Sequence, residues 1–381
     1  MPIVEVRVAA PGLRRVECDW RPGFKGGSDG DSSRDACRPV LLAQKPPFRA
    51  FTPRTEATTA TTARLLSMLS SLASFGVSSA TPAKSFLARV RANDCAGEAA
   101  RSARKLYVGG EVLGCVLPQP AEQLARFPSV FSVTDDAVVL RDDPAWADDL
   151  VAARSRAVAT VLSSLRSEPL IPELEGWRGE DFAVRKSFYG APSLLIERAA
   201  APLFGATAYG VFVNGFVGDS AGTATHLWLG KRAANKPTWP GLLDCVVAGG
   251  LAAGQLPLAA MRRECAEEAG IDATLAARAR PVGGVSYTGF SEGWGLKRDV
   301  LFNFDLQLPA DFAPVAADGE MAGFRLTPID ELCELLASEE PLFKPNVGVV
   351  CIDFLMRNGF VSPDDPSYLQ LLGALRSAEC S

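Results

Sequence analysis

The chain has little that would let it work through histidine, disulfides or a basic surface. A single histidine, His226, in 381 residues cannot build a histidine-rich zinc site or serve several catalytic roles. Beside Leu227-Trp228-Leu229 it reads as a residue on a surface strand. The nine cysteines include no C-x-x-C pair, and an odd number scattered from Cys18 to Cys380 does not form a disulfide framework. A reducing compartment is the expectation. With 39 basic against 44 acidic residues, the net charge of −5 lacks the positive surplus that a general nucleic-acid partner would meet. No apolar run approaches the roughly 20 residues needed to span a bilayer, so no membrane partner is expected. A G-x4-G-K-[ST] loop is absent, which leaves a phosphotransferase a weak reading.

What the chain does have is a concentration of acid. Glu264, Glu267 and Glu268 stand in the run Arg263-Glu264-Cys265-Ala266-Glu267-Glu268-Ala269-Gly270-Ile271. Positions i, i+3 and i+4 share one helical face, so this spacing stacks three carboxylates that repel one another. A divalent cation with hard oxygen preference, Mg²⁺ or Mn²⁺, removes that conflict, activates water and neutralises phosphate charge. Pro257 suits the first turn of such a helix and Gly270 its left-handed end. Ala259, Ala260, Met261 and Cys265 supply an apolar stripe. The bland alternative is a solvated acidic face.

Counted from Gly249, with five residues to Gln255 and seven more to Arg263, the stretch resembles a Nudix box, G-x5-E-x7-R-E-U-x-E-E-x-G-U, where U is bulky and apolar. One position departs: Gln255 stands where the pattern has Glu. In order along the chain, Glu197-Arg198-Ala199-Ala200-Ala201-Pro202, Gly230-Lys231-Arg232, Lys236-Pro237-Thr238-Trp239-Pro240-Gly241, Lys297-Arg298-Asp299-Val300-Leu301-Phe302 and Ile352-Asp353-Phe354-Leu355 extend the likeness. They resemble the thiamine pyrophosphokinase-related Nudix hydrolases of plants and fungi. The resemblance implies a loop–helix–loop that holds metal against a diphosphate. It also implies a small-molecule substrate, thiamine diphosphate or its oxidised (oxo- or oxy-) damage products, cut to the monophosphate plus phosphate. Glu264, Glu267 and Glu268 would hold Mg²⁺ or Mn²⁺, and Arg263 would orient a glutamate through a salt bridge. Two alternatives stay open: a Nudix hydrolase of other nucleoside diphosphate derivatives, and a Nudix-fold binding protein without turnover.

The order of elements predicts an α+β protein, a mixed β-sheet sandwiched by helices and preceded by a small α+β domain. Residues 1–85 read as a disordered or targeting leader, 86–204 as the accessory domain, 205–350 as the Nudix-like domain and 351–381 as closing helices. A soluble protein of plastid or cytoplasm is expected, of no stated oligomeric state. Val300, Phe302, Phe304 and Leu306 alternate with Leu301, Asn303, Asp305 and Gln307, a half-buried strand pattern.

A further acid outside the box is expected as base or extra ligand. Glu320, in the turn Asp318-Gly319-Glu320, is the candidate, with Glu268 the alternative base and a plain surface turn the bland reading. Lys231, Arg232 and Lys236 before the box, and Lys297 and Arg298 after it, are candidates for phosphate contact. The segment from Gly283 to Trp294 is glycine-rich with three aromatics. It reads either as a lid whose Trp294 stacks on a substrate ring or as a long hairpin with its aromatics turned inward.

Overall fold

In the computed structural model the described residues are 83–378, apart from 147–148, 169 and 292–293. The expected leader therefore lies almost wholly outside the described residues. The described residues all belong to one compact unit.

The first part of this unit is built on a four-stranded sheet. Strands β1 (Arg104–Val108), β2 (Glu111–Val116), β3 (Phe131–Val133) and β4 (Ala137–Leu140) lie in the order β2-β1-β4-β3, and β1 runs parallel to β4. Gly109 and Gly110, both at positive φ, make the β1–β2 turn. The helix Leu150–Arg166 is started by Asp149, whose side chain accepts the Ala152 N–H at 3.0 Å. It lays Val158, Val161, Leu162 and Leu165 on the sheet. A short pair, β5 (Asp181–Val184) and β6 (Leu194–Glu197), completes the layer.

The second part is a seven-stranded mixed sheet. Strands β7 (Thr207–Gly218), β8 (Ala224–Arg232), β9 (Leu243–Cys245), β10 (Val247–Gly250), β11 (Arg280–Ser291), β12 (Gly295–Gln307) and β13 (Met321–Pro328) form it. The main path is β11-β12-β7-β8-β13, with β10 paired to β7 and β9 to β8. The β7–β12 pair is parallel. Tyr209, Val211 and Val213 of β7 face the helix Pro257–Ala269. On the opposite face Phe212 and Phe216 meet the helices Ala83–Asn93, Ile329–Ala337, Pro345–Arg357 and Tyr368–Ala374. The sheet is thus sandwiched by helices, as its order of elements predicts. The helix Ala83–Asn93, which the sequence groups with the accessory domain, shares the apolar core of this second sheet.

Strand β12 departs from the half-buried expectation. Both of its faces are covered, and Asn303 and Asp305 are buried among the C-terminal helices. Distant partners meet Asp305, and the Asn303 amide donates to Asp353 at 3.2 Å while its Oδ1 has no donor. Arg357 donates to both oxygens of Asp305, at 2.6 and 3.0 Å, and to Asp353 at 2.7 Å. Asn214 donates to Asp305 at 3.0 Å, and Arg376 to Asp353 at 2.6 Å. The exposed edge of β11 is covered in turn. The Ser286 N–H donates to the Leu375 carbonyl at 3.0 Å, and the Ser286 hydroxyl donates to the Ala378 carbonyl at 2.8 Å.

Arg357→Met should expose what this network contributes. It leaves Asp305 and Asp353 buried without their shared guanidinium, so urea denaturation should show a loss of about 3–5 kcal/mol. A change under ~1 kcal/mol would mean that the remaining partners suffice.

Candidate active site

The helix Pro257–Ala269 starts on proline, whose missing N–H is harmless in a first turn, and stops at Gly270, where φ is 63°. Met261, Cys265 and Ala269 bury its apolar stripe against the sheet. Glu264, Glu267 and Glu268 thereby line a cleft of about 600 Å³. Gly249 lies directly behind Glu264: a Cβ there would sit 2.3 Å from the Glu264 Oε1. Gln255 closes the intervening turn, accepting the Ala252 N–H at 3.3 Å, which needs an amide or carboxylate oxygen but no charge.

The three carboxylates are not equivalent. Arg263 bridges two of them, donating to Glu264 at 2.7 Å and to Glu267 at 2.8 Å. Glu267 is half exposed. Burial pushes the Glu264 carboxyl above its ordinary range, against the pull of Arg263. Glu268 is only 4% exposed and accepts the Ala248 N–H at 2.8 Å. Burial pushes its carboxyl up to about 8, with Asp244, Glu264 and Glu320 adding to the effect and the Ala248 bond opposing it.

Oxygens of Glu268, Asp318 and Glu320 lie within 4.8 Å of one another. Crowded hard oxygen donors, one of them nearly dry, fit a divalent cation of the Mg²⁺ or Mn²⁺ kind. Glu320 is thus in the cleft, as the Asp318-Gly319-Glu320 turn suggests. Asp318 was not singled out as a ligand, although it shares that turn and accepts the Glu320 N–H at 2.8 Å. Burial would raise the Glu320 carboxyl, but Lys236 at 2.5 Å, with Arg178 and Arg232, outweighs it and leaves it lowered.

The candidate cations divide. Lys236 reaches the acidic corner through Glu320. Arg232 also borders the cleft, yet its guanidinium is committed to Asp244 at 2.7 Å and to the Thr238 and Trp239 carbonyls at 2.7 and 2.9 Å. It anchors a loop. Lys231, its neighbour on the strand, is exposed and points away from the lining. Lys297 and Arg298 line the cleft, near Asp299 at 3.8 Å and donating to the Gly205 carbonyl at 3.2 Å, respectively. The segment around Trp294 is the turn of the β11–β12 hairpin, and Trp294 packs on the first core instead of lining the cleft. Trp239 and Phe290 line it instead. Arg178 and Arg198 reach the cleft from the first part of the unit, Arg198 paired with Glu180 at 2.8 Å. Pairing across such sequence distance leaves no local pattern to read.

This cleft puts glycine, helix and carboxylates where the sequence pattern places them. Residues 208–347 match the NUDIX domain, and residues 85–208 match a domain of unknown function, DUF4743. The stretch 208–347 is thus identified as a NUDIX domain. It is 43% identical over 228 residues to Nudix hydrolase 20, chloroplastic, of Arabidopsis thaliana, a stretch covering 60% of this chain and 59% of that protein. Nudix hydrolase 24, chloroplastic, of the same plant is also 43% identical over 228 residues, 60% of each chain. An uncharacterized protein of Saccharomyces cerevisiae is 31% identical over 231 residues, 58% of this chain and 66% of that one. The chain therefore spans about three fifths of the length of its two plant relatives. Among the described residues no helix is long and apolar enough to cross a membrane.

Two outcomes follow from the geometry. Gly249→Ala should displace Glu264 and lower Mg²⁺-dependent turnover at least ~10-fold while the fold survives, as read by kinetics and circular dichroism. Mg²⁺ added to chelator-treated protein should raise Tm, because it binds the folded state alone. Glu268→Gln should shrink that rise, and an undiminished rise would place the ion elsewhere.

Proposed function

We propose that this chain is a divalent-metal-dependent diphosphate hydrolase, acting on thiamine diphosphate or its oxidised (oxo- or oxy-) products to release phosphate and leave the monophosphate. One observation carries the reading. A nearly buried Glu268 shares a corner with Asp318 and Glu320, beside the Glu264 and Glu267 of the same helix, in a cleft bordered by Lys236, Arg178, Arg198 and Arg298. Acid and base interleaved in one cleft suit a substrate that is itself anionic and arrives with cations.

Glu268, Asp318 and Glu320, assisted by Glu264 and Glu267, would hold Mg²⁺ or Mn²⁺. When bound, the ion supplies charge neutralisation at the phosphates and a more acidic water. The remaining work falls to side chains. The Glu268 carboxylate, kept ionised by the neighbouring cation when one is bound, accepts the proton of the attacking water. The water oxygen forms a bond to phosphorus as the bridging anhydride bond breaks, and the electron pair leaves with the departing phosphate. Lys236 keeps Glu320 ionised and in place. Arg178 and Arg198 bind the outer phosphate oxygens. Arg263 holds Glu264 and Glu267 in position. The chloroplastic relatives support a plastid location.

The test is phosphate release from a panel of thiamine diphosphates and nucleoside diphosphate sugars with Mg²⁺. Glu268→Gln should cut kcat by ~10³-fold, about 4 kcal/mol at the transition state. Glu320→Gln should mainly raise the Mg²⁺ needed for half-maximal rate, by ~10-fold. Binding without release by the wild type would make this a binding protein. Equal rates on nucleotide sugars would remove the thiamine assignment.

A further inference from the structure

Beside the cleft lies a second compartment of about 590 Å³, walled by the helix Ala83–Asn93 and the segment 337–346. Trp239, Phe290, Lys297 and Asn346 border both spaces, so the two adjoin at these side chains. Three features of this border are unexplained by catalysis at the acidic corner.

Trp239 has φ 55°, and among the described residues no other non-glycine has positive φ. Left-handed backbone is strained for a bulky side chain and persists where the surroundings enforce it. Here Arg232 enforces it, gripping the Thr238 and Trp239 carbonyls while Asp244 holds Arg232. The indole so displayed is 42% exposed, and Phe290 beside the same opening is 49% exposed. Large apolar rings held out at a cavity mouth expose surface that a partner would cover. Finally, Asn346 is 6% exposed, yet its Oδ1 has no hydrogen-bond donor. A buried carbonyl without a donor is costly, and an incoming N–H removes the cost.

We propose that this compartment is the subsite for the organic half of the substrate, a flat nitrogen-containing aromatic ring. The ring stacks against Trp239 and Phe290 and donates an N–H to Asn346 Oδ1, while its diphosphate tail extends past Lys297 to the acidic corner. The inference rests on the diphosphate-hydrolase reading above. An aliphatic tail would leave Oδ1 unpaired, and a sugar would leave the two rings without a flat partner. The inference also gives the domain of unknown function a task, because its first helix is one wall of the compartment.

The experiment compares kcat/KM for thiamine diphosphate and for methyl diphosphate, which has the tail but no ring, at fixed Mg²⁺. The wild type should prefer the aromatic substrate by ~100-fold or more. Trp239→Gly and Asn346→Leu should each reduce that preference at least ~10-fold, chiefly through KM, and Trp239→Phe should restore most of it. Glycine is the informative replacement because it fits φ 55° without strain, so loss of the ring is not confounded by misfolding. An unchanged preference in both variants overturns the subsite and leaves the hydrolase intact. If the wild type releases phosphate from neither substrate, the hydrolase reading fails instead. Calorimetric binding of thiamine monophosphate then decides the subsite: weakening in Trp239→Gly upholds it, and equal affinity overturns it.

Discussion

Repulsion among carboxylates in a half-dry corner governs this molecule. Glu268 is nearly buried, and Glu264, Asp318, Glu320 and Asp244 all crowd toward it. Asp318 is exposed and Glu320 partly so, but Glu268 is shielded from water, so its charge is tolerable only with protons, cations or basic side chains nearby. The protein supplies the last of these directly. Arg263 spans two glutamates, Lys236 holds Glu320, and Arg232 with Lys344 holds Asp244. Glu268 is met by the Ala248 backbone N–H, and burial raises its carboxyl to about 8.

The fold serves this corner by bringing backbone close. Glu264 can occupy its place because Gly249 leaves room, and Arg198 lies where a side chain on Gly250 would have been. The two sheets are joined with equal economy of space. A Cβ on Gly114 would fall 2.3 Å from the Phe204 carbonyl, and one on Gly295 2.6 Å from Pro202. Close approach at these points sets the first part of the unit against the β12 strand, so that Arg178 and Arg198 overlook a cleft formed mostly by the second.

The box was legible because its information is local. Glutamates at i, i+3 and i+4, a proline at the first turn and a glycine at the end each act within one helix, and each holds in the structure. The alternation along β12 was also legible, but its meaning was not. Asn303 and Asp305 look outward until Arg357 and Asp353, some 50 residues away, are brought onto the same face. Arg232 looked like a free cation in a basic cluster. Its actual partners are Asp244 and two carbonyls, and nothing in the order of residues announces a carbonyl. Trp294 and Trp239 are both tryptophans in loops rich in glycine or proline. Only the hairpin's geometry and the left-handed turn separate the one packed inward from the one displayed.

The tether between Ser286 and the stretch around Ala378 has a consequence for how the chain is made. The two sides of this contact are 92 residues apart. At ~5–20 residues per second a ribosome needs about 5–20 s between them. Until then the edge of β11 around Ser286 lacks its cover, although Asp94 and Ala96 already hold Thr288, and Asp305 waits 52 residues for Arg357. Nascent chains would be open to strand-to-strand association around Ser286 until residues 375–378 emerge, which makes that part of β11 the place where a chaperone would most usefully bind.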